Sequence, residues 1–211
     1  MGRYVVGITG ASGTTYTRRI LSELLNSGHE VKCVVTESAR VVLKVEEELI
    51  LNGNIEADRP KLLDWIGTPM RGDALQLFDA KDVSANIASG SYKTDGMLIV
   101  PCSGGTLGRI ANGISNGLLE RAADVCLKER RKLVLLTREM PLSLIHLRNM
   151  LTLTEAGATI IPASPSFYHN PQTINDMVDE VASRVLNHIE VATRSYREWQ
   201  GVHPDDSVSN Q

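Results

Sequence analysis

The chain has 211 residues, 42% of them hydrophobic and 22% charged, with a formal charge of −3. That suffices for one domain with a sizeable core, and the near-neutral balance excludes the broad basic surface that a nucleic-acid backbone demands. Apolar runs such as Met97 to Val100 and Leu133 to Leu136 are too short to cross a bilayer.

Strands alternate with helices throughout. Tyr4 to Ile8 predicts a strand, entered without the apolar stretch of a signal peptide, so the expected location is cytoplasmic. Ile20, Leu21, Leu24 and Leu25 recur at helical spacing within a helix expected over Tyr16 to Asn26, stopped by Ser27-Gly28. A strand from Val31 to Val35 and a helix from Ser38 to Leu49 follow. Asn52 to Asp95 mixes Gly, Pro, Asp and Asn with short apolar pieces and reads as loops with one or two short elements. Gly96 to Val100 is the next strand, then a helical turn at Thr106 to Asn112 and a helix from Leu118 to Arg130. Leu133 to Thr137 and Thr159 to Ile161 are strands around a helix from Leu142 to Glu155. A Pro-rich loop, Pro162 to Pro171, leads to a last helix from Ile174 to Thr193. Five βα units in series predict a doubly wound parallel sheet with helices on both faces, an α/β domain over 1–200 with a polar tail at 201–211.

In such sheets ligands sit beyond the carboxyl ends of the strands. Gly10 to Gly13, Thr36, Cys102 to Thr106, Arg138-Glu139 and the loop carrying Tyr168 fall there. The turn Gly7-Ile8-Thr9-Gly10-Ala11-Ser12-Gly13 matches neither the dinucleotide fingerprint nor a Walker loop nor a nucleophile elbow. It reads either as a bare tight turn or as a cradle whose small residues and free amides admit an anionic ligand. The turn Pro101-Cys102-Ser103-Gly104-Gly105-Thr106 has the same two readings, helix capping or a ligand seat. Arg138 follows an apolar strand at the ligand edge, where a planar fork suits phosphate or carboxylate. Arg130, Arg131 and Lys132 read as a solvated helix end. His146, His188 and His29 read as structural, while His169 beside Tyr168 stays open. Cys33, Cys102 and Cys126 form no metal or redox pattern and read as small buried hydrophobes.

Seven segments together resemble the UbiX flavin prenyltransferase family: Gly7–Gly13 (GITGASG), Ala88–Ser91 (ASGS), Pro101–Leu107 (PCSGGTL), Leu119–Arg131 (LERAADVCLKERR), Thr137–Pro141 (TREMP), Ile145–Met150 (IHLRNM) and Phe167–Gln172 (FYHNPQ). They run from the first strand to the last helix. The resemblance implies a Rossmann-like or flavodoxin-like fold in a large homo-oligomer, typically a dodecamer, with sites between subunits and no metal. It implies FMN contacts from Gly10, Ala11, Ser12, Thr36, Ser103, Gly104, Gly105, Thr106 and Arg138, with Ser89 and Arg121 on the flavin side. It implies that Lys128, Arg138, Glu139, Tyr168 and Arg184 hold dimethylallyl monophosphate. Glu46 would reach in from a neighbouring subunit and Trp199 would cover the prenyl group. Two departures stand out. Thr36 replaces the commoner Ser, and Gly105 stands where many members have Lys, removing a charge near the flavin.

The implied reaction joins the dimethylallyl group to N5 and C6 of reduced FMN, for use by a UbiD-type decarboxylase. Magnesium-dependent prenyl transferases use aspartate-rich motifs to neutralise their leaving group. Here Asp205-Asp206 in the tail is the only acidic pair resembling one. Fixed cations would therefore carry the phosphate, with Glu139 relaying a proton to it, Ser12 taking one up near the flavin, and Trp199 shielding the allyl cation. A direct flavin-dependent decarboxylase is one rival, weakened because no His lies between His29 and His146. A non-catalytic FMN carrier is the other, weakened by a cation set that FMN alone does not need.

Overall fold

The computed structural model describes residues 1–193. Six strands, β1 (Arg3–Ile8), β2 (Glu30–Val35), β3 (Leu75–Phe78), β4 (Gly96–Cys102), β5 (Leu133–Thr137) and β6 (Thr159–Pro162), form one sheet in the order β3-β2-β1-β4-β5-β6. Every pairing is parallel. The helices are α1 (Thr14–Asn26), α2 (Glu37–Glu47), α3 (Ile55–Ile66), α4 (Gly104–Ala111), α5 (Leu118–Lys128), α6 (Leu144–Glu155) and α7 (Ile174–His188). The expected doubly wound sheet is borne out, with one more strand than the sequence suggested.

Alternate residues of each strand face opposite layers. Val6, Ile8, Leu98, Val100 and Leu136 join Ile20, Leu21, Leu24 and Leu25 of α1 and Val181, Val185 and Leu186 of α7 in one core. Val5, Met97, Ile99, Leu133 and Leu135 join Leu107, Leu119, Ala122, Ala123 and Cys126 in the other. Full burial of each large aliphatic side chain contributes about 1.5–3 kcal/mol, so the two cores fix the sheet firmly beneath its loops. Because β1 and β4 are covered on both faces they read as unbroken apolar runs.

Several boundaries differ from expectation, three of them by enough to matter. The stretch read as loops holds a full helix, α3, capped by the Asn54 side chain and ended by Gly67 in the left-handed region, and an edge strand, β3. α2 stops at Glu47, before Leu49. The last helix stops at His188 rather than Thr193; its C-cap is Ile189, and Glu190 then takes a positive φ of 61° that no α-helix can continue. Among the described residues no helix is long and apolar enough to cross a membrane.

Candidate active site

β1 and β4 are neighbours whose connections leave in opposite directions, β1 toward β2 and β4 toward β5. This is the switch point of the sheet, where a crevice opens beyond the strand ends. Both small-residue turns flank it. Thr9, fully buried, ties them together: its hydroxyl donates to the Pro101 carbonyl at 2.7 Å and accepts from the Ser103 amide at 2.8 Å. Thr17 adds a second tie, donating to the Val100 carbonyl at 2.6 Å.

Two of the glycines in these turns leave little room for a side chain. A β-carbon on Gly10 would stand 2.5 Å from that of Ser38, and one on Gly104 would stand 2.9 Å from His146 Nε2. Thr36 caps α2, accepting from the Ala39 amide at 3.2 Å while its hydroxyl faces the Ile8 carbonyl and Ser38. Ser103 caps α4 in the same way, accepting from the Thr106 amide at 3.3 Å. First-turn amides have no acceptor inside their own helix, so those of Gly104 and Gly105 face the crevice as donors. A cradle of glycines, hydroxyls and helix-end amides fits a flavin mononucleotide, whose planar ring needs close backbone approach and whose phosphate needs donors.

The N-terminus of α1 is already filled. Glu46 of the same chain accepts from the Gly13 amide at 3.0 Å, the Thr14 amide at 3.0 Å and the Thr14 hydroxyl at 2.8 Å. Partial burial works against its charge, but hydrogen bonds from the Ser12 hydroxyl, Thr14 and Gly13 outweigh it and hold the Glu46 carboxyl below the usual carboxylate range. Expected to act from a neighbouring subunit, Glu46 thus has a place within its own chain, where it also holds Ser12.

The expected cations separate into two groups. Arg138 and Glu139 follow β5 at the carboxyl edge of the sheet, both exposed, and Arg138 carries no hydrogen bond or ion pair to a described residue. Tyr168 lies on the loop after β6, its ring tilted against His169 with centroids 4.1 Å apart. Lys128, in contrast, ends α5, which runs back toward the start of β5. It pairs with Glu129 at 2.6 Å, directly over Gly90. Arg184 sits one turn before the end of α7, its charge felt by His188 together with that of Lys132, the residue before β5. Ser89, bonded to Ser91 at 2.9 Å, belongs to the same lower edge. Arg121 is midway, donating to the Ala88 carbonyl at 3.1 Å and paired with Asp124 at 2.6 Å. One chain therefore does not bring Lys128 and Arg184 to Arg138 and Glu139. Trp199 lies outside the described residues.

Some residues matter more than the sequence suggested. Arg131, read as a solvated helix end, instead donates to the carbonyls of Gly90 at 2.5 Å and Tyr92 at 2.8 Å, bracing the Ser89 loop. Its partners lie about forty residues away, so no local signal marks it. His146 is structural as expected: its Nδ1 accepts from the Ser143 amide in a capping box, and its ring covers Gly104. The cysteines are the buried hydrophobes expected, burial pushing Cys33 and Cys102 up to about 12 and Cys126 up to about 11.

Residues 2–186 match the family model for flavoproteins. A flavin prenyltransferase UbiX of Alkalihalophilus pseudofirmus is 47% identical over 194 residues, covering 92% of this chain and 94% of that protein. The chain belongs to the UbiX flavin prenyltransferase family. Among solved structures, AnUbiX (PadA1) in complex with FMN and dimethylallyl pyrophosphate superposes with a TM-score of 0.83 at 37% identity, over 96% of this chain and 99% of that one. A dodecameric FMN-dependent UbiX-like decarboxylase from Escherichia coli O157:H7 gives the same TM-score and identity, over 94% and 100%. The likeness to UbiX proteins thus takes in the crevice, both edges of the sheet and α7.

Proposed function

We propose that this protein joins the dimethylallyl group of dimethylallyl monophosphate to N5 and C6 of reduced FMN, and that a UbiD-type decarboxylase receives the prenylated flavin. The observation that carries this reading is the presence of two anion-suited groups on opposite edges of the sheet, a cradle of small residues and helix-end amides above and exposed cations below. A flavin carrier needs only the first. Membership of the UbiX family supports the prenyl acceptor and donor over the decarboxylase alternative.

Bound in its reduced form, FMN supplies the two ring positions that accept the group. Gly10, Ala11, Ser12, Thr36, Ser103, Gly104, Gly105 and Thr106 seat it. Arg138, with Lys128, Tyr168 and Arg184 contributed across an interface, grips the ester phosphate and stabilises the charge that gathers as the carbon–oxygen bond breaks, each charge-assisted bond being worth roughly 1.5–3 kcal/mol. Glu139, exposed beside Arg138, holds the proton that the leaving group takes. Ser12, at the turn beside Glu46, takes up a proton near the flavin edge.

Completion of the site requires other copies of the chain, and the surface is built for them. α6 buries only Leu153 among its residues, and leaves Leu144, Ile145, Leu147 and Leu151 exposed, continuous in sequence with Met140 and Leu142 beside Arg138. A contiguous apolar face of this kind marks an interface. A closed homo-oligomer, a dodecamer as in the Escherichia coli structure, covers it and brings one chain's lower edge to another's crevice. The assembly works in the cytoplasm.

The test is direct. Purified protein incubated with reduced FMN and dimethylallyl monophosphate should yield flavin heavier by one prenyl unit in mass spectrometry. Unaltered flavin overturns the reading.

A further inference from the structure

Arg109 lies on α4 one turn beyond Gly105. Helical side chains lean toward the N-terminus, so Arg109 folds back over the first turn of its own helix. Its Nε donates to Glu120 at 2.8 Å and its Nη2 donates to the Thr106 hydroxyl at 3.1 Å. Both anchors are buried, Glu120 at 6% exposure and Thr106 at 1%. The remaining nitrogen, Nη1, has no hydrogen-bond partner among the described residues and lies 3.4 Å from where a β-carbon on Gly105 would stand. The guanidinium is thus fixed on two sides, with its free N–H groups over the opening of α4.

We propose that Arg109 binds the phosphate of FMN at the N-terminus of α4, and that the absence of a side chain at Gly105 gives it access. This rests on the FMN reading above and adds a residue to that site. Two helices begin at the switch point. Glu46 already occupies the amides of Gly13 and Thr14 at α1, so a phosphate entering there meets a carboxylate. At α4 the same kind of amides, those of Gly104 and Gly105, come with a fixed cation, while the Ser103 hydroxyl donates to that of Thr106 at 3.0 Å. A dianion is favoured at the second helix and disfavoured at the first. Glu120 does not cancel this preference. It neutralises the arginine's field at a distance while leaving the Nη1 donors directed outward, which makes Arg109 a geometric rather than a long-range attractor.

Dissociation constants for FMN and for riboflavin, which lacks the phosphate, test the assignment by quenching of flavin fluorescence. Arg109→Ala alone would strand Glu120, so the principal variant is Arg109→Gln with Glu120→Gln, a neutral pair. The second is Arg109→Lys, whose single ammonium is taken up by Glu120. Either variant, with an unchanged melting temperature, should bind FMN about tenfold or more weakly while holding riboflavin as wild type does. Adding Gly105→Lys to the neutral pair should restore FMN affinity, because a cation then stands in the vacant space. Unchanged FMN affinity in a folded variant, or equal losses for FMN and riboflavin, overturns the proposal. Prenylation by the wild type, measured in parallel, reports separately on the parent reading: wild-type protein that binds FMN but leaves it unprenylated sinks the transferase and leaves the Arg109 result standing on binding alone.

Discussion

The two edges of the sheet are built on different principles. At the carboxyl edge the turns after β1 and β4 satisfy one another: Thr9 bonds to Pro101 and Ser103, Ser103 caps α4, Thr36 caps α2, and Glu46 closes α1. At the opposite edge Lys128 and Arg184 are exposed, and the order comes from Arg131 and Arg121 holding loop carbonyls in place. The first edge is finished by the fold of one chain. The second offers charges whose use depends on another. A cofactor seat benefits from rigidity set in advance, whereas a site assembled between copies gains closure and exclusion of water at the moment of assembly.

The largest expected effect exploits this division. Arg138→Ala at one edge and Lys128→Ala at the other should each lower turnover by about a hundred- to a thousandfold, the usual cost of losing a preorganised donor. If the edges meet between subunits, the two inactive proteins, dissociated and reassembled together, should recover about a quarter of wild-type turnover by random mixing across shared interfaces. Absence of recovery in mixed particles of normal size would place the whole site in one chain and break the comparison.

A smaller effect is expected at the finished edge. Thr9→Val keeps the shape but leaves the Pro101 carbonyl and the Ser103 amide without their partner, at a cost of about 1–3 kcal/mol for each unsatisfied buried group. Denaturant melting should show the loss, and FMN affinity should fall with it, while the equivalent change at the other edge, Ser91→Ala, should alter neither.

The smallest effect concerns Glu46. Its folded-state pKa is depressed, so its stabilising contribution is fully present above the ordinary carboxylate range and disappears as pH falls through the lowered value. Glu46→Gln should therefore be less stable than wild type at neutral pH, by about 1 kcal/mol, with the gap closing in acid. A gap independent of pH would show that the carboxylate's charge is not what holds the α1 terminus.

Much of this was legible beforehand, for identifiable reasons. β1 and β4 are buried on both faces and so announce themselves as apolar runs. The glycine-bearing turns were visible because close approach leaves only small residues. α3 was hidden by Pro60 within it, although Asn54 and Gly67, its two caps, were in plain view. β3 was hidden by its length, four residues at a sheet edge. The roles of Thr9, Arg109 and Arg131 depend on partners far along the chain or on a side chain folding back along its helix, which periodicity does not encode. The separation of Lys128 from Arg138 was in principle deducible: a helix returning between parallel strands must end at the edge opposite to the one where the next strand finishes.

Glu46 carries one more consequence. In doubly wound folds of this strand order, the amides opening the first helix commonly receive the pyrophosphate of a dinucleotide. Here that berth is taken by an acid group supplied from within, so a nicotinamide or flavin dinucleotide would have to evict a bound anion before it could settle. A pyrophosphate settling on that helix would meet the Glu46 carboxylate, whereas a single phosphate seated at α4 would not.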